Sequence, residues 1–321
     1  GLYLLAFIGI IIFISISLFV LRISSIQSKL TIKKFSKQSF ISLNNIIFGA
    51  LIFSVMLGVT YPLIYEYLFD QKISIGAPFY NAIFIPIVIL ASFFLFFSVD
   101  SKWSRNSSFS FLKKPIFLSL ILSITSTLFV MIFFSTKNIP ILLSVFAGLL
   151  IIYRYIYEII NYFLYKKFIN PFSVIAHMSL GLLIVSISFN SLLSSERAIN
   201  IYINEYEEYK DLKILFQDLG VEEKSNYDSI KAKFLVEDIK GNKFNLNPEK
   251  RKYFTRGQIT TETAIHVTPL RDIYMTIGDQ LDDGSWIVNI QINYLIRWIW
   301  ISALLMGLAG IMLIFSKKLR A

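Results

Sequence analysis

The chain has 321 residues, of which 55% are hydrophobic and only 16% charged, with 30 phenylalanines and a formal net charge of +10. Soluble domains carry about a quarter charged residues, so this composition belongs to an integral membrane protein. Cysteine is absent, which excludes disulfides, thiolate catalysis, zinc–thiolate sites and iron–sulfur clusters from the chain.

Seven apolar runs reach the roughly 20 residues needed to cross a bilayer. They cover 2–21, 44–65, 79–99, 115–135, 139–157, 172–193 and 294–315. Gly1 leads straight into the first run with no charged leader. That run therefore reads as a span and not a secretory signal, and the chain as a piece of a longer protein or a processed or split subunit. In the second run Pro62 predicts a kink or an early end. Asn44, Asn45, Tyr61 and Glu66 could glue helices together or line a cavity, and glue is the preferred reading. Arg154 and Glu158 interrupt the end of the fifth run. The sixth, from Pro171 to Phe189, carries His177.

Between the sixth and seventh runs the pattern changes. Ile230–Asp238, Glu262–Thr268, Ile273–Ile277 and Trp286–Ile290 mix β-branched and aromatic residues with partial alternation, as strands do. Lys240-Gly-Asn-Lys243 and Asp282-Asp-Gly284 supply turns. Ile199–Leu215 fits strand, helix or both. At the start of the last run, Tyr294, Trp298 and Trp300 read as rings anchored at headgroup depth, with Arg297 reaching the interface; contact with a cofactor edge is the alternative.

Charge sets the orientation. Segment 194–292 holds 17 Asp/Glu against 13 Lys/Arg, whereas the rest holds 18 Lys/Arg and four acids, Glu66, Asp70, Asp100 and Glu158. Fifteen cations fall on one side of the predicted spans: Arg22, Lys29, Lys33, Lys34 and Lys37; Lys102, Arg105, Lys113 and Lys114; Arg154, Lys166 and Lys167; Lys317, Lys318 and Arg320. The opposite short loops carry Lys72 and Lys137. The positive-inside rule then puts the C-terminus in the cytoplasm and 194–292 outside. The expected architecture is a polytopic α-helical membrane protein of about seven spans with one extracytoplasmic β-rich domain between the last two. Its parts are a six-helix transmembrane region over 1–193, the β-rich domain over 194–292, and the last helix with a basic tail over 293–321. A basic excess confined to short loops reports orientation, so no nucleic-acid partner is expected.

His177 is the leading site candidate. It is one of two histidines in the chain, and it sits about 9 Å into its span. Ionisable groups at membrane depth are costly and usually functional, and imidazole is the usual protein ligand of haem iron. The alternative is a histidine hydrogen-bonded between helices. Ala176, Ser179 and Gly181 around it would let a flat macrocycle approach the backbone, or would serve plain helix packing. His266, in a strand-like stretch, reads as a surface or internally satisfied residue. No nucleophile elbow and no phosphate-cradling glycine loop appear, so no catalytic acid, base or nucleophile is assigned.

Four stretches resemble the CcmF family of cytochrome c maturation proteins. They are Leu43-Asn-Asn45 leading to Gly58-Val-Thr-Tyr-Pro-Leu63; Lys72-Ile-Ser-Ile-Gly-Ala-Pro-Phe-Tyr-Asn81 continuing to Ile85-Pro86; Ala176-His177 with Gly181-Leu-Leu183; and Thr261-Glu-Thr-Ala-Ile265 followed by Leu270-Arg-Asp-Ile-Tyr274, Gly278, Gly284-Ser-Trp286 and Arg297-Trp-Ile-Trp300. The resemblance runs nearly end to end and implies the C-terminal half of such a protein. It further implies a subunit of the system I haem lyase that receives haem from a carrier and delivers it to apocytochrome c for thioether attachment, alongside other maturation subunits. His177 matches one of two axial histidines of a membrane b-type haem. The second axial histidine, and most of the site for the transient haem, would lie outside this chain, in the N-terminal half. The implied location is a bacterial inner membrane, with the mitochondrial inner membrane as the alternative. A membrane transporter using His177 as a proton relay and a haem-free assembly scaffold are the rival functions.

Overall fold

The computed structural model of the chain describes residues 2–26, 33–103, 114–166, 169–255 and 257–315. The chain divides into two compact units, Gly1–Ile121 and Leu122–Ala321. Seven helices among the described residues are long and apolar enough to cross a membrane: α1 (Leu2–Arg22), α2 (Lys37–Phe69), α3 (Ala77–Ser98), α4 (Lys114–Phe133), α5 (Ile139–Tyr165), α6 (Pro171–Leu193) and α7 (Ile296–Phe315). The protein is a polytopic α-helical membrane protein with a β-rich domain inserted between its last two spanning helices. Of the basic loop residues, Lys29, Arg105, Lys113, Lys167, Lys317, Lys318 and Arg320 lie outside the described residues.

Local chemistry sets the helix ends. Ser36 caps α2 in a reciprocal box with Ser39, which satisfies backbone N–H groups that have no intrahelical acceptor. Asn138 caps α5 by accepting from Ile141 N, and Asn170 caps α6 by accepting from Phe172 N and Ser173 N. Pro140 and Pro171 follow those caps in the first turn, where a missing N–H costs nothing. At Pro62 the outcome differs from a helix end: α2 runs through it to Phe69. One lost donor is tolerated within a spanning helix. Gly58, the residue whose carbonyl Pro62 cannot reach, is where α3 closes on α2; a Cβ there would lie 2.5 Å from the Tyr80 hydroxyl. Asn44 and Asn45 are exposed on α2 and bridge no described helices.

The fifth span corrects one expectation. α5 extends past the run 139–157 to Tyr165. Arg154, expected in the basic loop that follows, lies inside the helix, fully buried, 2.7 Å from Glu158. Opposite charges four residues apart meet on one helix face. The pair neutralises itself without leaving the helix, so a rule that reads single cations as loop markers misplaces it.

The β domain is two antiparallel sheets. Its strands are β1 (Ser195–Ile201), β2 (Tyr206–Tyr209), β3 (Leu212–Glu223), β4 (Tyr227–Asp238), β5 (Lys243–Leu246), β6 (Glu249–Tyr253), β7 (Ile259–Glu262), β8 (Ala264–Val267), β9 (Arg271–Gln280) and β10 (Trp286–Tyr294). One sheet has the order β1-β10-β9-β8; the other has β2-β3-β4-β6-β7, with β5 on β4. The undecided stretch 199–215 holds no helix: it lies in β1, β2 and β3 and the turns that join them. Alternate residues point inward: Ile199 and Ile201; Leu212, Ile214 and Phe216; Ile273, Met275 and Ile277; Val288, Ile290 and Ile292 are all buried. Phe216 and Phe234 stack at 4.5 Å between centroids at the centre of this core. Gly241 and Gly284, both at positive φ, make the two turns read from the sequence.

Single-residue links join this domain to the membrane helices. Only Ser194 separates α6 from β1, and only Leu295 separates β10 from α7. Asn190 Nδ2 donates to Tyr294 O at 2.7 Å, Tyr294 N donates to Ser194 Oγ at 3.1 Å, and Leu295 N donates to Leu270 O at 2.9 Å. Trp298 Nε1 donates to Pro269 O at 3.0 Å, and Arg297 lies 3.7 Å from Asp272. Those two residues, read as interface anchors, thus also fasten α7 to the sheet.

Candidate functional site

The geometry around His177 begins with two glycines. A Cβ on Gly148 of α5 would lie 2.9 Å from Gly181 O, and one on Gly181 of α6 would lie 2.8 Å from Gly148 O. The two helices therefore cross backbone to backbone. Gly181 is occupied by this contact, which favours plain helix packing for it over macrocycle approach. From the crossing, Tyr155 lies seven residues along α5 and His177 four residues back along α6. Both offsets return to the crossing face of a 3.6-residue helix, so the two side chains meet.

They meet at hydrogen-bond distance. Tyr155 Oη lies 2.6 Å from His177 Nδ1, with ring centroids 5.2 Å apart and planes tilted by 30°. Ser173, one turn before His177 on α6, brings its Oγ to 3.1 Å from the same nitrogen. Ser173 is placed there by the Asn170 cap, which receives its backbone N–H. Tyr155 is buried and His177 half-buried. Two hydroxyls thus converge on Nδ1, so a metal bond by this imidazole would fall to Nε2.

The charged neighbours are paired. Arg154 and Glu158 flank Tyr155 on α5, and the Arg154 guanidinium also lies 6.0 Å from the Tyr157 ring centroid. On the far side of α5, Tyr153 and Ser126 of α4 share a 2.7 Å hydrogen bond. Ser179 is buried close to the crossing and Ala176 half-buried. Sequence reasoning placed His177 but missed Tyr155, because an isolated tyrosine in an aromatic-rich helix carries no signal. It saw Arg154 and Glu158 only as interruptions, though opposite charges spaced by four within an apolar run are a readable sign of a pair.

His266 is far from this in character. It lies on β8, partly exposed, and stacks on Phe244 of β5 at 3.6 Å with an 11° interplanar angle. Desolvation holds it below the usual histidine range, Arg271 acts in the same direction, and Asp238 and Asp272 oppose them. It serves as an aromatic bridge between the two sheets.

Seven spanning helices, a β domain set between the last two, and a histidine held at the crossing of α5 and α6 define a class: multi-pass membrane proteins that carry one extramembrane β-sandwich. A family model described as the CcmF C-terminal beta-sandwich matches residues 192–293. Over its full length the chain is 27% identical to the cytochrome c-type biogenesis protein CcmF of Haemophilus influenzae and 26% identical to that of Escherichia coli K12, covering 51% and 50% of those proteins. The CcmF of Pseudomonas aeruginosa is 25% identical, again across the whole chain and half of the relative. A solved structure titled cytochrome c heme lyase CcmF superposes with a TM-score of 0.69 at 16% identity, over 87% of this chain and 46% of that one, and so shares its fold. The chain is thus similar along its whole length to CcmF proteins, and it spans about half the length of the curated relatives it matches.

Proposed function

We propose that this chain is the C-terminal half of a haem-handling membrane subunit in cytochrome c-type biogenesis, and that His177 is one axial ligand of a b-type haem held among its spanning helices. The supporting observation is the engagement of Nδ1 by Tyr155 and Ser173. Metal-bound imidazoles commonly have their other ring nitrogen held by a hydrogen bond, which sets tautomer and ring plane. One imidazole oriented through Nδ1 fits a haem iron; the second axial histidine comes from the N-terminal half, since the other histidine described in this chain is on β8.

When bound, haem supplies one-electron redox chemistry. The residues of this chain do the rest of the work assigned to it. His177 orients its ring through Nδ1, Arg154 and Glu158 neutralise each other beside Tyr155, and α6 and α7 carry the β domain on single-residue links. Loop charges support an extracytoplasmic position for that domain, with the C-terminus in the cytoplasm; the proposed location is a bacterial inner membrane. In that position it would meet the haem carrier, apocytochrome c and the other maturation subunits, and the complex would deliver haem for thioether attachment. A proton-relay transporter gains little from Glu158, because that carboxylate is held by Arg154.

The test is an absorbance spectrum of the purified protein co-expressed with its N-terminal half. The expected result is a bis-histidine b-type spectrum that His177→Ala abolishes or converts to a five-coordinate form. A wild-type spectrum in that variant removes His177 from the assignment, and a colourless complex removes the haem.

A further inference from the structure

We infer that Tyr155 is the positioning residue of His177: its hydroxyl accepts the Nδ1 proton of the imidazole and thereby fixes the ring plane and tunes how strongly Nε2 donates to iron. The inference deepens the ligand reading above and rests on it. Three observations carry it. The Tyr155 contact, at 2.6 Å, is the shorter of the two hydroxyl contacts to Nδ1. The phenol is buried, so water does not compete for the bond. The Gly148–Gly181 crossing fixes the spacing of the helices that carry the two rings, so the contact does not depend on a flexible side chain reaching across a gap.

Proton placement follows from chemistry. With iron on Nε2, the neutral imidazole keeps its proton on Nδ1 and must donate it, so the Tyr155 oxygen accepts. The phenol keeps its own proton. Ser173 Oγ stands as a second, longer acceptor for the same N–H. An acceptor at Nδ1 raises the basicity of the coordinating nitrogen. A more basic ligand favours the ferric state, so removing the acceptor moves the couple toward ferrous.

The experiment uses the haem-loaded complex of both halves. Tyr155→Phe combined with Ser173→Ala keeps both helices packed and removes both acceptors. The expected result is retained low-spin haem with a ferric-to-ferrous ratio about tenfold lower at a fixed solution potential, equivalent to about 59 mV for a one-electron couple. Tyr155→Phe alone should give most of that shift and Ser173→Ala little. As a second readout, His177→Gly is supplied with free imidazole. The concentration that restores the low-spin spectrum should rise about tenfold when Tyr155→Phe is added. A tyrosine that only fills space would leave both the ratio and the imidazole requirement unchanged, and that result overturns the inference while the ligand reading stands. Retention of the wild-type spectrum by His177→Ala instead overturns the ligand reading and this inference with it.

Discussion

Gly148 and Gly181 face each other across the α5–α6 crossing, each so close that a Cβ on one would lie under 3 Å from the carbonyl oxygen of the other. This contact sets the distance between the helices that carry Tyr155 and His177. It also explains why small residues gather near His177: at membrane depth helices gain from close backbone approach, because the lipid offers no hydrophobic driving force between them.

Gly181→Val is expected to destabilise the protein by about 1–3 kcal/mol, the usual range for overpacking, and to separate Tyr155 from His177. Gly49→Ala on α2, where a Cβ meets nothing within 4 Å, should stay within about 0.5 kcal/mol of the parent. Thermal denaturation in detergent compares the two. Equal melting temperatures would mean that the helices do not touch as described.

Arg154 and Glu158 should show strong non-additivity. Either Arg154→Leu or Glu158→Leu alone leaves a buried charge without its partner at 2.7 Å and should cost about 3–5 kcal/mol. The double variant should cost less than either single change, because no orphaned charge remains. A double-mutant cycle on denaturation midpoints measures the coupling, and simple addition of the two single effects would disprove the pair.

The β domain should weaken mildly on acidification. His266 has a folded-state pKa below its unfolded value because of desolvation and Arg271. Its contribution to stability is therefore fully present above the unfolded pKa of about 6.5 and is lost as pH falls through the folded value. His266→Phe keeps the stack on Phe244 and should flatten the pH dependence of proteolytic resistance in this region between about pH 7 and 5. An unchanged slope would assign the effect to the carboxylates instead.

Orientation can be read with single cysteines, since the chain contains none of its own. Lys240→Cys, in the exposed β4–β5 turn, should react with a membrane-impermeant maleimide applied to the outside of whole spheroplasts. Lys102→Cys, after α3, should react only after lysis. The reverse pattern would invert the assigned topology.

Composition and run length determine the membrane class, and the alternating stretches Ile230–Asp238 and Trp286–Ile290 mark the β domain, because burial against lipid or in a two-sided sheet forces a periodicity onto neighbouring residues. His177 stands out for the same reason: one imidazole in an apolar run is visible without any partner. The segment 199–215 was ambiguous because its short strands are broken by turns before a period can establish itself. Tyr155 lies 22 positions from His177, and Arg154 declares itself as a buried group only when Glu158 is seen on the same face of a continuous helix. Sequence by itself thus determined which segments are apolar and long enough to enter the membrane and which of them carries a lone imidazole. Tertiary structure alone decided what that residue touches, because the meeting of two side chains is set by where helices cross, and the crossing depends on two glycines whose closeness no local pattern records.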